Sequence, residues 1–335
     1  MLIKRSANLI SESFRVDLNY MDLSLLESMR VIALPTKTNF RGISVREVAL
    51  FQGPAGRGEF SPFLEYDDQE SAQWLACAME AATQPRPQLY RSAIKVNGTI
   101  PALNDPAEIE RIVEAFPGVE TFKVKVGDNL SEDIARLTKV RDLRPQAKLR
   151  IDVNGNWPVQ LAVSNLQVIH DQIGPLEYVE QPCATVAELR ELKEKLKVDV
   201  LIAGDEVLRK AHDPFAVELA GAVDVLMLKV QPLGGIARAH KIAEHHKLPV
   251  VVSSALESAV GIYYGLLLAA SFPLMDFDCG LGTGSLLAAN VAKLPIVDGE
   301  IAIRECEPEF NGYEVAADRF EWWKNRVMRT AELLS

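Results

Sequence analysis

The sequence predicts an α/β protein with a (β/α)8-type barrel, modified as (β/α)7β, and a separate α+β capping domain. In the middle of the chain, short apolar runs that favour strands each end in a charged residue. Lys125, Asp152, Glu180, Asp205 and Lys229 follow one another at intervals of 24 to 28 residues, the length of a strand, its crossover helix and two loops. Charge at the C-terminal end of five successive strands lies on the active-site face of such a barrel.

The capping domain is predicted to take its first part from residues 1–90. A short helix over 23–29, with Asp22 as its N-cap, precedes glycine-punctuated runs that alternate as in antiparallel hairpins. Apolar positions at helical spacing then predict a helix over 69–83, and the proline-rich stretch at 84–88 predicts a domain boundary. Strands followed by a helix form an α+β unit distinct from the barrel.

The barrel is predicted to occupy residues 91–290. Continuing the period of one strand and one helix places eight strands near residues 96, 123, 150, 178, 202, 227, 251 and 275. Helical patterns lie between them over 107–116, 132–142, 159–172, 186–196, 214–219 and 235–245. The remaining segment, 291–335, shows no further strand–helix unit and is predicted to return to the capping domain.

The composition of the 335-residue chain argues against several classes of partner. Its net charge is −10 and no basic stripe is present, which argues against binding to nucleic acid. No apolar run approaches the length of a membrane span, and the first residues lack the pattern of a signal peptide. The four cysteines are far apart without CxxC spacing, which indicates reduced thiols. We therefore expect a cytoplasmic protein that acts on a small-molecule carboxylate, with a monomer favoured and an oligomer left open.

Alternation along the second and third barrel strands predicts which side chains face the barrel interior. Lys123 and Lys125 share one face of their strand, and Arg150, Asp152 and Asn154 share one face of the next. A single strand with this pattern is usually a surface strand with its charged face in water. Two consecutive strands of a closed barrel have no freely solvated face, so we expect these charges to point to the upper rim of the interior.

Three carboxylates at consecutive strand ends, Asp152, Glu180 and Asp205, predict a metal site. A network of salt bridges with the lysines is the simpler alternative, and it accounts for a pair of carboxylates better than for three. Carboxylate oxygens suit Mg²⁺, which keeps open positions for water or substrate. Because no His or Cys lies at those strand ends, zinc is not expected.

The lysines predict a base beside the bound substrate. A lysine accepts a proton only when neutral, and its ordinary pKa of about 10.4 is too high for this at neutral pH. A like charge and a nearby divalent cation lower that pKa, and Lys123 provides the like charge beside Lys125. With Lys229 across the mouth, the pattern indicates a metal-bound carboxylate held between two lysines, with the metal stabilising an enediolate.

These residues resemble the enolase superfamily, in its muconate-lactonizing branch. The motifs are KVK at 123–125, DVN at 152–154, EQP at 180–182, DE at 205–206 and Lys229, in the order and spacing of that family. The likeness covers nearly the whole chain. Longer stretches, among them FRGISVRE, GPAGRGEFSPFLEYDD and CGLGTG, resemble more narrowly the o-succinylbenzoate synthases of actinobacteria.

The resemblance implies a Mg²⁺-dependent lyase of menaquinone biosynthesis that converts 2-succinyl-6-hydroxy-2,4-cyclohexadiene-1-carboxylate to 2-succinylbenzoate. It implies that Asp152, Glu180 and Asp205 hold Mg²⁺, with Mn²⁺ able to substitute. The predicted substrate-binding residues are Ser253, Ser254, Gly280, Gly282, Arg150 and Asn154, and the segments 60–63 and 39–42 are expected to close the pocket from the cap.

The resemblance also implies a division of work among the lysines. Lys125 is the implied general base, which returns its proton to the leaving hydroxyl in a syn dehydration. Lys229 stabilises the enediolate from the opposite face, and Lys123 supports the metal-bound carboxylate and tunes Lys125.

Two departures from the family pattern keep alternatives open. Val207 follows the DE motif where a serine is usual, and Asp276 and Asp278 on the eighth predicted strand resemble the Asp-x-Asp of dipeptide epimerases. That motif holds an α-ammonium group in those enzymes, so a dipeptide epimerase or N-acylamino acid racemase is the first alternative. A barrel that binds a metabolite without turnover is the second.

Overall fold

The computed structural model describes residues 23–40, 42–310 and 312–334. The predicted N-cap at Asp22 and the residues before it lie outside this part. Arg41 and the side chains of Asn39 and Phe40 also lie outside it, and all three belong to the segment 39–42 that was predicted to close the pocket. Among the described helices, none combines the length and apolar character needed to cross a lipid bilayer.

An antiparallel sheet and one helix form the first part of the cap. The elements are α1 (Leu23–Glu27), β1 (Arg30–Phe40), β2 (Ile43–Gln52), β3 (Arg57–Phe60) and α2 (Asp68–Thr83), with the sheet order β1-β2-β3. The Asp67 side chain begins α2 by accepting a hydrogen bond from the Glu70 backbone N–H. The helix predicted over 69–83 therefore starts one residue earlier, at its cap.

Small residues allow α2 to lie close against this sheet. A Cβ atom added at Gly58 would come within 2.0 Å of the Ala78 carbonyl oxygen, and one at Gly53 within 2.3 Å of that of Ala82. Side chains at these two positions would push the helix off the sheet, so the residues where the two elements meet are small.

Seven parallel strands form the wall of the barrel and follow sequence order around it. After a short strand β4 (Ala93–Lys95), the barrel strands are β5 (Gly98–Ile100), β6 (Thr121–Lys125), β7 (Lys148–Asp152), β8 (Tyr178–Glu180), β9 (Leu201–Gly204), β10 (Val225–Lys229) and β11 (Val250–Ser253). The helices that follow them in turn are α3 (Pro106–Glu114), α4 (Leu130–Leu143), α5 (Val159–Ile173), α6 (Val186–Lys195), α7 (Glu206–Arg209), α8 (Ile236–His246) and α9 (Ala259–Ser271).

Residues 279–280 close the ring as a two-residue eighth strand. Cys279 bridges Val96 and Gly280 bridges Ser253, both in parallel orientation. A 3-10 helix, Gly282–Leu286, follows directly. Seven strand–helix units and a final strand make the (β/α)7β barrel, so the predicted fold class is confirmed.

The eighth strand lies later than its predicted position near 275. The residues before it are held at the N-terminal end of the barrel, where Thr121 at the start of β6 donates a 2.6 Å hydrogen bond to Asp278. The Phe277 ring packs edge-on against Tyr178, at the start of β8. Asp276 and Asp278 therefore precede the strand, on the side away from the barrel mouth.

Two helices differ from the sequence prediction. No helix forms over 214–219, where the Asp213 side chain accepts a hydrogen bond from the Phe215 backbone N–H and holds a turn. Helix α9 has no amphipathic pattern for a sequence prediction to use, because it is apolar on every side. It packs between β11 of the barrel and β3 of the cap, which accounts for that composition.

The C-terminal segment first forms a hairpin on the barrel. Strand β13 (Glu300–Ala302) pairs with β12 (Ile296–Val297) on one side and with β4, ahead of the first barrel strand, on the other. Leu287, before this hairpin, already bridges Thr36 of β1. After the hairpin the chain contacts β1 again at Tyr313, whose carbonyl oxygen accepts a hydrogen bond from the Ala33 backbone N–H.

Helix α10 (Ala317–Glu332) packs against α2 and completes the core of the cap. Arg319 Nη2 and Trp323 Nε1 lie 2.7 Å and 2.8 Å from the same carboxylate oxygen of Glu47 on β2. Trp323 is fully buried, with its ring edge-on to Phe60 at 5.9 Å. The two ends of the described chain thus share one hydrophobic core.

Candidate active site

The predicted metal ligands meet at the C-terminal ends of three neighbouring strands. Asp152 ends β7, Glu180 ends β8, and Asp205 directly follows β9. Asp152 is in register with Lys125 on β6 and with Glu180 on β8. Residues in register on parallel strands point to the same side of a sheet, so these side chains meet at the barrel mouth.

On one side of the mouth, two lysines of β6 bind carboxylates. Lys123 Nζ lies 2.6 Å from Glu180 Oε2 and 3.4 Å from Asp152 Oδ2. Lys125 Nζ lies 2.5 Å from Asp152 Oδ2 and donates to Asn154 Oδ1 at 2.8 Å. Lys123 is the deeper of the two, and Lys125 stands at the rim.

On the other side of the mouth, Lys229 ends β10. Its Nζ lies 2.5 Å from Asp205 Oδ2 and 3.9 Å from Glu180 Oε1. Three strands separate β10 from β6, so Lys229 faces Lys125 across a ring of eight strands. Glu180 lies between the two lysine groups.

Two residues beside the carboxylates have a left-handed backbone. The φ angle is 53° at Asn154 and 41° at Gln181, a region that residues other than glycine seldom occupy outside functional sites. The Gln181 side-chain oxygen accepts hydrogen bonds from the backbone N–H groups of Asp205 at 3.0 Å and Val207 at 3.2 Å. This side chain therefore fixes the turn that carries the Asp205 carboxylate.

Burial and the lysines shift the pKa values of the three carboxylates in different directions. Burial raises the pKa of Asp152, but the combined charges of Lys125, Lys123 and Lys229 outweigh burial and hold that pKa well below its usual range. Burial also raises the pKa of Asp205, but Lys229 and Arg209 together outweigh burial and hold that pKa low. Burial, reinforced by the charge of Asp152, raises the pKa of Glu180 to about 7. Glu180 is thus the carboxylate least well compensated by the protein.

The pKa of Lys123 moves opposite to the direction expected for a clustered lysine. Burial lowers it, but the Glu180 and Asp152 carboxylates outweigh burial and raise the pKa of Lys123 above its ordinary value. The reason is that the carboxylates lie closer to its ammonium group than the sequence pattern could show. A cation bound by those carboxylates would offset their effect.

The residues of the site fit a hard divalent cation, although they do not surround a single point. Among the described residues, no three His, Cys, Asp or Glu side chains enclose a common ion position, since each of the three carboxylates is drawn to a lysine. The predicted convergence on one ion position is therefore not seen in this arrangement. Glu180 Oε1 is buried without a hydrogen-bond partner. A buried carboxylate oxygen with no donor, between two further carboxylates, is a ligand set that suits Mg²⁺.

Two charged residues that the sequence analysis did not select complete the rim. Arg209 Nε lies 3.1 Å from Asp205 Oδ1, and its Nη2 lies 2.8 Å from Glu206 Oε1. Asn154 Nδ2 donates to the same Glu206 oxygen at 3.2 Å. A chain of hydrogen bonds thus runs from Lys125 through Asn154 to Asp205. The signal in the sequence was Arg209 four residues after Asp205, the spacing of one helical turn.

A cavity of about 40 Å³ lies between these side chains and the cap. Phe63, Tyr66 and Trp74 line it from the cap, and Ser253 and Ser254 line it from the end of β11. One water molecule needs about 10–15 Å³, so this cavity has room for a few waters. A larger organic ligand requires the ion pairs or the cap segment to move apart.

Three of the predicted substrate-binding residues lie away from this cavity. Arg150 is fully buried beneath the mouth in an ion pair at the N-terminal end of β8. Gly280 belongs to the eighth strand, where its carbonyl oxygen accepts a hydrogen bond from Ser254 Oγ. A Cβ atom at Gly282 would come within 3.0 Å of the Phe116 ring, so this glycine packs against the barrel wall.

Glu257 lies behind the loop after β11 and is 1% exposed. Burial, together with the charge of Glu59, raises its pKa to about 7 from an ordinary value of 4.5. Because the folded state binds this proton more tightly than the unfolded state, the protonated carboxyl contributes to the free energy of unfolding. That contribution is complete below pH 4.5 and is lost as the pH rises through about 7. We therefore expect Glu257→Gln to gain about 1–3 kcal/mol of stability relative to the wild type between pH 5 and pH 8.

Urea unfolding of both proteins at the two pH values measures this difference. All other titrating groups are the same in Glu257→Gln and in the wild type, so their effects on the free energy of unfolding cancel in the difference. Glu194→Gln removes an exposed glutamate and should show no pH-dependent difference. A difference between Glu257→Gln and the wild type that stays constant with pH would contradict the expectation.

Profiles of two sequence families match the chain. The family described as Enolase N-terminal domain-like matches residues 31–82, and the one described as Enolase C-terminal domain-like matches residues 106–308. A protein of Mycobacterium ulcerans (strain Agy99) named o-succinylbenzoate synthase is 47% identical over 318 residues, which cover 92% of this chain and 95% of that protein. The chain belongs to the o-succinylbenzoate synthase family of the enolase superfamily. The family predicted from the motifs is confirmed.

Solved structures of two other enzymes share the fold. Muconate lactonizing enzyme from Pseudomonas fluorescens, complexed with muconolactone, aligns with a TM-score of 0.67 at 18% identity, covering 88% of this chain and 97% of that one. A dipeptide epimerase from Enterococcus faecalis V583, complexed with Mg and the dipeptide L-Leu-L-Tyr, aligns with a TM-score of 0.67 at 20% identity, covering 84% and 97%. At these identities the likeness shows the fold alone.

Proposed function

We propose that this enzyme dehydrates 2-succinyl-6-hydroxy-2,4-cyclohexadiene-1-carboxylate to 2-succinylbenzoate, a step of menaquinone biosynthesis. The observation that carries the proposal is the pair of opposed lysine groups on either side of three carboxylates at one barrel mouth. The name carried by its 47% identical relative supports the same reaction. The activity is that of a hydro-lyase, which breaks a carbon–oxygen bond.

The charges of the site suit a divalent cation that enters together with a dianion. Four carboxylates and four cations form the ion pairs, and they are Asp152, Glu180, Asp205, Glu206, Lys123, Lys125, Lys229 and Arg209. Buried charges must be compensated, so a divalent cation is accommodated best when two negative charges arrive with it. The proposed substrate carries two carboxylates, one on the ring and one on the succinyl chain.

Mg²⁺ fits this ligand set, and we propose it as the physiological metal, with Mn²⁺ as a substitute. Asp152, Glu180 and Asp205 would hold it through hard carboxylate oxygens. When bound, the ion supplies positive charge that stabilises the negative charge developing on the ring carboxylate of the substrate.

Lys125 acts as the single acid–base group of the reaction. Its neutral amine takes the proton from the ring carbon that bears the carboxylate, and the C–H electrons pass into the enediolate. The resulting ammonium returns the proton to the ring hydroxyl on the same face, the C–O bond breaks, and water leaves as the ring becomes aromatic. Asp152 and Asn154 orient the Lys125 Nζ for both transfers.

Lys229 acts from the opposite side as a fixed positive charge. Held by Asp205, its ammonium group stabilises the enediolate across the ring from Lys125. Lys123, deeper in the barrel, keeps a second positive charge beside the ring carboxylate. A syn elimination needs one proton-transfer group, whereas epimerisation needs one on each face.

The structure weakens the main argument for an epimerase or racemase. That argument rests on Asp276 and Asp278 as holders of a substrate ammonium group. Both residues precede the eighth strand, and Asp278 is bound at the start of β6, away from the mouth. A metabolite-binding barrel without turnover has no need of both opposed lysine groups.

A direct assay separates these functions. We expect the purified protein with Mg²⁺ to form the aromatic product with a kcat/KM of roughly 10⁴ M⁻¹s⁻¹ or more. Racemisation of dipeptides and N-succinylamino acids should be far slower. The same preparation with EDTA serves as the control and should be inactive. Faster racemisation than dehydration would favour the epimerase or racemase, and binding without any turnover would favour the metabolite-binding barrel.

We further propose that the enzyme is cytoplasmic and binds neither nucleic acid nor membrane, with a monomer favoured and an oligomer left open. All four cysteines lie in the described part of the chain as free thiols, and three of them are buried. Such thiols suit a reducing compartment. The net charge of −10 disfavours contact with nucleic acid or with anionic lipid.

A further inference from the structure

Two glutamates of the cap bind the N-termini of two neighbouring barrel helices. Glu59, on β3, accepts hydrogen bonds from Ser258 Oγ at 2.5 Å, the Ser258 backbone N–H at 3.2 Å and the Gly261 backbone N–H at 2.8 Å. Ser258 is the N-cap of α9. A helix begins with unpaired N–H groups and a partial positive charge, so a carboxylate there ties the cap to the barrel.

Glu80, on α2, makes the same kind of contact with the preceding helix. It accepts hydrogen bonds from the backbone N–H groups of Ile236 at 2.5 Å and Ala237 at 3.3 Å, at the start of α8. The Tyr264 hydroxyl donates to it at 2.7 Å. None of these three partners lines the catalytic cavity.

The partners of Glu59 do not line the cavity themselves, but two of them, Ser61 and Ser258, lie in short segments that do. Ser61 Oγ donates to Glu59 Oε1 at 2.7 Å, and Gln231 Nε2 does so at 3.4 Å. Gln231 also accepts from the Ser61 backbone N–H at 3.3 Å. Ser61 begins the cap segment that carries Phe63 over the cavity, and Gln231 follows Lys229 by two residues.

Arg46 on β2 links the same cap segment to the loop after β11. It is 2% exposed, and its Nε donates to the Leu256 carbonyl at 3.1 Å while its Nη2 binds the Ser61 carbonyl. Its guanidinium lies 4.4 Å above the centre of the Phe63 ring. Leu256 has a φ of 62°, so this loop is held in a strained conformation by contacts from the cap.

We propose that Glu59 is a positioning residue for the substrate pocket. From the cap it holds both the segment 61–63 and the loop 254–258, which form two walls of the cavity. Glu80 anchors the cap to the barrel without reaching the cavity. The inference rests on the proposed function for its kinetic test, but the arrangement of the two walls is tested independently below.

The experiment compares Glu59→Gln with Glu80→Gln as a matched control. Each change keeps one acceptor oxygen and replaces the other with an NH2 group. The NH2 group cannot accept a hydrogen bond from the N–H and O–H donors at the start of the helix. Both should lower the Tm. Glu59→Gln should raise KM roughly tenfold, the size of one lost hydrogen bond to a charged group, with kcat nearly unchanged. Glu80→Gln should leave KM at the wild-type value.

Ser61→Ala provides a second variant in case Glu59→Gln folds poorly. It removes the hydrogen bond from the cap segment and leaves the contacts between Glu59 and α9 in place. We expect a rise in KM of roughly threefold with little change in Tm. If KM stayed at the wild-type value in both Ser61→Ala and Glu59→Gln, the proposal would be overturned.

Hydrogen–deuterium exchange without substrate gives the independent readout. Glu59→Gln should speed exchange in peptides covering 61–66 and 254–261, while Glu80→Gln should do so only around 235–240. Equal effects of the two variants on 61–66 would refute the positioning role. If the wild type lacked dehydratase activity, the proposed function would fail while this exchange pattern still decided the role of Glu59.

Discussion

Lys125→Ala is expected to lose dehydratase activity while keeping its fold and its response to Mg²⁺. Lys125 Nζ stands at the rim between Asp152 and Asn154, and its removal leaves no neutral amine on that face to take the α-proton and return it. General acid–base catalysis contributes roughly 10²–10⁴-fold at one proton transfer, and this residue serves two. We expect kcat to fall by at least about 10³-fold, measured from the absorbance of the aromatic product.

Lys125→Arg separates proton transfer from charge. Arginine keeps a positive charge that can bind Asp152, but it cannot lose its proton at neutral pH. The same loss of activity is therefore expected. Lys148→Ala is the control, because Lys148 starts β7 at the far end of the barrel with a side chain 61% exposed. Turnover of Lys125→Ala near the wild-type rate would show that another group is the base.

Glu180→Gln is expected to weaken Mg²⁺ binding by at least about 100-fold and to abolish activity with it. Glu180 is fully buried between Lys123 and Lys229, and its Oε1 is a buried carboxylate oxygen without a hydrogen-bond partner. Glutamine keeps an acceptor for Lys123 but removes the negative charge that a divalent cation needs. The fold should persist, so the loss is one of metal binding.

The measurement is the rise in Tm with increasing Mg²⁺, which reports binding to the folded state whether or not the protein turns over substrate. The wild type should show a rise that EDTA reverses, and Glu180→Gln should show almost none. Glu177→Gln is the control, since Glu177 lies before β8 at the opposite end and pairs with Arg150. An unchanged Mg²⁺ response in Glu180→Gln would remove this residue from the metal site.

The barrel and the charged residues at its mouth could be predicted because both follow from local rules. A parallel strand and its crossover helix need a nearly constant length, so charged landmarks recur along the sequence. Because side chains alternate along a strand, Lys123 and Lys125 share a face. Because parallel strands end at the same edge of the sheet, Asp152 and Glu180 become neighbours. No long-range information is needed for these steps.

Features that depend on distant contacts were not predictable in the same way. Asp278 lies at the N-terminal end of the barrel, where it accepts a hydrogen bond from Thr121, 157 residues away in the chain. Helix α9 is apolar on every side because the cap covers its outer face, so its sequence shows no helical periodicity. Thr283 joins the cavity wall only because the chain folds back there.

The sequence by itself determined the barrel period, the three carboxylates and the opposed lysines, because strand length and side-chain alternation act within a few residues. Only the tertiary structure decided how these charges pair, which leaves Glu180 with a raised pKa and an unbonded oxygen. It also decided that Glu59, far from the mouth in sequence, is bound at the start of α9. Burial and pairing of charges depend on segments brought together from across the chain, and no local pattern encodes that proximity.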